Sequence, residues 1–198
     1  MNSNIIKQFG NPSGMFGSFV GWLMTIKNTK RIKWAVELMD VQPNDTILEI
    51  GFGPGVAIKL MAEYITTGKI IGIDRSELMV KKAIKRNKKK ILENKVELNK
   101  ARTIPSGDNS ILFDKVLAIN VSLFWREPEK EMGLIKGCIK PGGFLQIILQ
   151  PHWAKTEEHV QNIAYKIARQ LKNANYKNIE LKFKMIKKLS CIAIKAYN

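Results

Sequence analysis

The sequence predicts an α/β protein built on a mostly parallel sheet. Short β-branched runs alternate with helical runs over most of the chain, the pattern of strands joined by crossover helices. One of those runs enters a glycine-rich turn that opens directly into a helical segment. Near the C-terminus, two strand-like runs flank Lys187-Lys188 and read as a terminal antiparallel pair. The chain has 198 residues, the length of one ordinary domain. With 45% apolar and 25% charged residues, its composition excludes a disordered or collagen-like polymer.

The elements follow in order. Ile32, Ala35, Val36 and Met39 recur at helical spacing between Lys30 and Met39. Pro43, Asn44 and Asp45 break that pattern, and Thr46 to Ile50 (TILEI) reads as a buried strand ending at glycines. A helix is expected from Val56 to about Tyr64, then a strand from Lys69 to Ile73. Ser76 precedes a helical run from Glu77, where a hydroxyl can cap free amides. Leu78, Met79, Ala83 and Ile84 share one side of that helix and lysines crowd the other. A weak strand over Val96 to Leu98 and a clear one over Phe113 to Ile119 follow. A helix from Glu129 to Cys138 stops at Pro141-Gly142-Gly143, and Phe144 to Leu149 is the next strand. A helix from about Glu157 to Asn173 precedes the terminal pair, Ile179 to Met185 and Leu189 to Ala196. No linker or repeat divides the chain, so residues 1–40 are expected as a helical extension and 41–198 as one domain.

Thirty-three Lys+Arg against 17 Asp+Glu leave a formal charge of +16. That raises nucleic acid, anionic membrane and acidic ligands as partners and says nothing about fold. Lys81, Lys82, Lys85, Arg86, Lys88, Lys89 and Lys90 crowd one helix, and Lys182, Lys184, Lys187 and Lys188 the terminal strands. They read either as a phosphate track or as a solvated face. Aromatics that would stack on bases are not interleaved with them. Cys138 and Cys191 make neither a disulfide framework nor a four-ligand zinc site, which fits a reducing cytoplasm. The apolar stretch Gly14 to Ile26 falls short of the ~20 residues that span a membrane. It reads as a helix on the core, on a membrane surface, or closing over a site.

The most informative segment is Glu49-Ile50-Gly51-Phe52-Gly53-Pro54-Gly55. Glycines after a buried strand let the backbone adopt positive φ and approach a ligand closely. They also open the amide end of a helix toward that ligand. The dinucleotide fingerprint needs a third glycine at position 56, which is Val here. A nicotinamide-dependent oxidoreductase is therefore a poor fit. Glu49, polar in an apolar strand, calls for a partner such as a cationic amine. The next strand ends in Asp74, where a carboxylate can accept both hydroxyls of a ribose.

LEIGFGPG (Leu48 to Gly55), GIDRSELM (Gly72 to Met79), Ile104-Pro105 to Asp114, NVSLFW (Asn120 to Trp125) and IKPGG (Ile139 to Gly143) stand in order along the chain. On these motifs the sequence resembles the class I S-adenosylmethionine-dependent methyltransferases, in particular the small-molecule, ubiquinone/menaquinone-biosynthesis type. The resemblance spans roughly Trp34 to Leu149. It implies a doubly wound, Rossmann-like seven-stranded sheet with the last strand antiparallel. It also implies S-adenosylmethionine as cofactor. Gly51, Phe52, Gly53 and Gly55 would then face its methionine part and sugar. Glu49 would support the amino group, Asp74 the ribose, and Arg75 and Met79 would border the adenine. Asn120 would lie beside the sulfonium. The family often places an Asp-Ala pair after the third strand; this chain has Ala101-Arg102 there.

Methyl transfer is an in-line displacement in which positioning does much of the work. His152, just past the fifth strand, is the candidate base, or else a solvated loop residue; His159 reads as a surface residue. Asn120 is followed by Val121-Ser122-Leu123, not by the Pro-Pro-aromatic run of amino-group base methylation. No cysteine pattern suits cytosine or arsenic methylation, and no carboxylate cluster argues for a metal. The expected substrate is small or lipid-like. The competing readings are an RNA methyltransferase, or a non-catalytic RNA- or membrane-associated protein that retains the cofactor fold.

Overall fold

The computed structural model describes residues 29–101, 111–121, 127–186 and 188–198. The possible lid over Gly14 to Ile26 and the candidate Arg102 lie outside them. The described elements are α1 (29–39), β1 (Thr46–Ile50), α2 (Val56–Met61), β2 (Lys69–Asp74), α3 (Glu77–Leu92), β3 (Val96–Lys100) and β4 (Phe113–Ile119). Then come α4 (Pro128–Gly137), β5 (Ile139–Leu149), α5 (Glu157–Asn173), β6 (Lys177–Met185) and β7 (Ser190–Tyr197). The strands form one seven-stranded sheet in the order β3-β2-β1-β4-β5-β7-β6. Pairs β2–β3, β1–β4 and β4–β5 are parallel, and β7 runs antiparallel to both β5 and β6. The terminal pair and the doubly wound sheet are as expected from the sequence.

The chain divides into two compact units, Met1–Asp45 with Gly51–Thr103, and Thr46–Ile50 with Ile104–Asn198. In the first, α1 buries Trp34, Ala35, Val36 and Met39. Helix α2 ends at Met61, short of the expected Tyr64. A few residues on, the amides of Thr66, Thr67 and Gly68 all donate to the Pro43 carbonyl at 2.9–3.1 Å. Gly68 is obligatory there, because a Cβ would stand 2.1 Å from the Asp45 carbonyl oxygen. Helix α3 buries Met79, Val80, Ala83 and Asn87, while Lys81, Lys85, Arg86, Lys88 and Lys89 are exposed. Most of the lysine run is thus a solvated face, and Lys90 reaches across to pair with Glu63 at 3.2 Å.

In the second unit, β5 begins five residues before the expected Phe144. Pro141-Gly142-Gly143, expected between the helix and the strand, lies inside the strand. It becomes a bulge, with Phe113 opposite Ile139 but Lys115 opposite Phe144 and Gly142 at φ 78°. Helix α5 buries the stripe Val160, Ala164, Ile167 and Leu171, and the Thr156 hydroxyl caps it by accepting the His159 amide at 3.1 Å. The outer strand β6 carries exposed Lys177, Lys182 and Lys184, and shifts register between Lys177 and Glu180, next to Asn178 at φ 43°. Among the described residues no helix is long and apolar enough to cross a membrane, and no cluster of His, Cys, Asp and Glu could hold a metal.

Strands β1, β4 and β5 are tied at their starts by Asp114. Its Oδ2 accepts the Thr46 amide at 2.7 Å, and the Lys140 ammonium donates to both oxygens at 2.9 Å. Burial pushes this carboxyl up, but the Thr46 amide and Lys140 outweigh it and hold the pKa below its ordinary value. A depressed folded pKa adds stability above the unfolded pKa and loses it as pH falls through the folded value. Asp114→Ala is expected to cost about 1–2 kcal/mol at neutral pH, the scale of one charged hydrogen bond to a backbone amide. Urea unfolding checks this, and the difference from wild type should shrink toward pH 3.

Candidate functional site

At the carboxyl end of β1 the chain must turn sharply, and Gly51, Gly53 and Gly55 hold φ of 68°, 54° and 71°. Side chains rarely adopt such angles, which is why all three are glycine. The turn is closed by its own amides. Gly51 donates to the Ile73 carbonyl at 2.8 Å, and Gly55 to that of Phe52 at 3.0 Å. Gly53 donates to Asp74 Oδ2 at 2.8 Å. The other oxygen, Oδ1, accepts the Ser76 amide at 2.8 Å, and the Asp74 carbonyl accepts the Ala101 amide at 3.1 Å. A carboxylate has about four lone-pair sites, so each oxygen keeps capacity for a further donor.

Asp74 is 8% exposed. Burial is the largest influence on its carboxyl and raises the pKa, while the amides of Ser76 and Gly53 and the Arg75 guanidinium pull it back. The three glycines are not equivalent. A Cβ on Gly53 would meet none of the described residues within 4 Å, so among them this point of the turn is open. A Cβ on Gly55 would lie 2.7 Å from both the Ala83 Cβ and the Asn87 Nδ2, so this point is packed against α3.

The sequence-derived candidates divide accordingly. Gly51, Gly53, Gly55, Asp74, Arg75 and Ala101 come together in the first unit, with Arg75 exposed and Ala101 half-buried. Phe52 belongs to the same turn, but its side chain is a core residue. It is 4% exposed, and its ring fills the space left by Gly72, where a Cβ would stand 2.7 Å from Phe52 Cδ1. Only the backbone of Phe52 is therefore available to a ligand. Met79 is likewise buried on the inner side of α3. Helix α2 has six residues, so the amide end expected beyond the turn is one short helix's worth.

The second unit holds the remaining candidates. Glu49 is buried in β1, in register with Leu117 of β4. Asn120 directly follows β4 at φ 57°; its amide donates to the Ile148 carbonyl at 2.7 Å, and its Oδ1 accepts the Gln150 amide at 2.9 Å. His152 is exposed in the turn after β5, and His159 is exposed on α5. Sequence reasoning missed Asn87, which is 2% exposed in the lysine-rich helix. Its spacing of four from Ala83 and eight from Met79 was the available signal, since it puts Asn87 on the buried face.

Residues 47–143 match the family described as methyltransferase domain. The uncharacterized methyltransferase YdaC of Bacillus subtilis is 30% identical over 171 residues, covering 84% of this chain and 91% of that protein. The 24-methylenesterol C-methyltransferase 2 of Arabidopsis thaliana is 28% identical over 135 residues, covering 65% of this chain and 37% of that protein. Among solved structures, a SAM dependent methyltransferase from Aquifex aeolicus shares the fold at a TM-score of 0.65 and 23% identity, over 83% of this chain and 88% of that one.

The unequal glycines set an order of tolerance. Gly53→Ala incurs only the left-handed backbone cost of about 1–2 kcal/mol. Gly55→Ala adds a steric clash with α3, worth a further 1–3 kcal/mol or so. Thermal and denaturant unfolding of the two variants should rank Gly55→Ala as clearly the less stable; equal stability would contradict this packing.

Proposed function

The chain belongs to the class I S-adenosylmethionine-dependent methyltransferases, and on that premise we propose that it transfers the methyl group of S-adenosylmethionine to a small or lipid-like acceptor. The observation that carries the cofactor assignment is the pairing of Gly53 with Asp74. Among the described residues nothing stands over Gly53, and the carboxylate beside it is already oriented by two amides with lone pairs to spare. That donor set suits a ligand with two neighbouring hydroxyls. The cofactor supplies an electrophilic methyl group on a sulfonium, ready for in-line displacement.

In this reading the chain's residues bind and orient. Asp74 accepts the ribose hydroxyls, the backbone of Gly51 to Gly55 lines the sugar and methionine part, and Arg75 and Ala101 border the base. Glu49 balances the cationic amino group, and Asn120 stands at the acceptor side. His152 takes a proton from the acceptor where its nucleophile carries one. The resemblance to a sterol methyltransferase over 135 residues supports a lipid-like or small acceptor. A cytoplasmic setting is supported by two buried, unlinked cysteines.

Calorimetry with S-adenosylmethionine and S-adenosylhomocysteine tests the cofactor assignment; no heat of binding to either at millimolar ligand would sink it. Gly53→Ala should weaken binding far more than it lowers stability, since the new methyl group enters the open face of the turn. The pH dependence has two opposed parts. Because the folded Asp74 carboxyl titrates above its ordinary value, its own contribution to stability is present at acid pH and lost as pH rises through the folded pKa. Ribose hydroxyls donate to the ionised form, so binding should weaken as pH falls through that same raised value. In Asp74→Asn this acid-side dependence should vanish.

The acceptor class is read with cofactor labelled in its methyl group, incubated with cell extract and then fractionated. Label in the organic or small-molecule fraction is expected; label confined to nucleic acid would overturn the reading. His152→Gln should leave S-adenosylhomocysteine binding intact and lower transfer by roughly a hundredfold or more, the usual scale for a general base.

A further inference from the structure

Helix α3 reaches the glycine turn through two adjacent side chains that the cofactor contacts do not account for. Arg86 Nη1 donates to the Pro54 carbonyl, and Asn87 Nδ2 donates to the Gly55 carbonyl at 3.1 Å. The same Asn87 amide nitrogen also donates to the Ala83 carbonyl at 2.9 Å, which fixes its rotamer within the helix. The Gly55 carbonyl additionally accepts the Lys59 amide at 3.2 Å, so it is shared between α2 and α3. Asn87 is 2% exposed, and its buried Oδ1 finds no hydrogen-bond partner among the described residues. A buried amide with an unmet acceptor is a poor choice for packing alone. An apolar side chain would fill that space without the penalty.

We propose that Arg86 and Asn87 are positioning residues that clamp the Pro54-Gly55 half of the turn, so that the Gly53 half keeps the shape a ligand meets. The clamp acts on carbonyls. By holding the Pro54 and Gly55 oxygens toward α3, it keeps the peptide planes of the turn from flipping and leaves the Gly53 amide on Asp74. The guanidinium suits the outer position because its planar fork donates without needing full burial. It is the one arginine among the lysines of α3. Its bond to Pro54 separates its task from that of the solvated lysines beside it.

The proposal rests on the cofactor reading above, and the test separates the two. Amide hydrogen exchange of the ligand-free full chain is read on the segment Phe52 to Val56, alongside calorimetry with S-adenosylhomocysteine. Asn87→Ala, Asn87→Leu and Arg86→Ala should each speed exchange of the Gly53 and Gly55 amides about tenfold and weaken binding by about as much, the scale of one lost hydrogen bond. Asn87→Leu should do so while keeping or raising the melting temperature. Val80→Ala, buried on the same helix, should lower the melting temperature and leave both readouts unchanged. Unchanged exchange and binding in the Arg86 and Asn87 variants would overturn the proposal, as would equal changes in Val80→Ala. Faster exchange in the Arg86 and Asn87 variants, with a wild-type chain that binds no S-adenosylhomocysteine, would sustain the clamp and remove the cofactor reading.

Discussion

A buried carboxylate that accepts two backbone amides at 2.8 Å constrains everything around it. Asp74 ends β2, yet its oxygens are spent on the turn after β1 and on the first residues before α3. One amide comes from Gly53 and the other from Ser76, so two segments far apart in sequence are fixed by a single side chain. Removing the charge from water is costly unless such donors are present. The Gly53 donor in turn depends on positive φ at 51, 53 and 55, which shapes the turn that presents that amide to the carboxylate.

Helix α3 has two faces with different obligations. Its inner residues Met79, Val80, Ala83 and Asn87 are buried, and two of them, Ala83 and Asn87, decide what fits at Gly55. Its outer residues are lysines in water. The positive charge of this helix therefore sits on positions with little bearing on the shape of the turn, Arg86 excepted. Surface charge and site geometry are carried by the same helix without being the same property.

The glycine turn and Asp74 were legible because each depends on local chemistry. Positive φ demands glycine, and an acid at the end of an apolar strand stands out. The terminal antiparallel pair was legible for a similar reason, since Lys187-Lys188 interrupts two β-branched runs. Residues whose role depends on distant packing were not. Phe52 sits in the turn and reads as a ligand contact, but the gap at Gly72, about twenty residues later in the next strand, takes its ring into the core. Pro141-Gly142-Gly143 reads as a stop, and pairing with β4 turns it into a bulge within β5. Asn87 was hidden by its neighbours: a polar residue among lysines looks solvated until the helical period is followed residue by residue.

The outer strand β6 has a consequence for how the chain behaves in concentrated solution. A terminal strand offers unpaired backbone groups to any other strand, and Phe183 and Met185 are exposed on this one. Lys177, Lys182 and Lys184 and the kink at Asn178 make addition of a second strand costly, through repulsion and through mismatch of register. Part of the excess positive charge thereby acts as a guard against fibril growth. Chemical neutralisation of those amines would leave Phe183 and Met185 exposed on a nine-residue strand at the rim of the sheet with less charge to repel a second one.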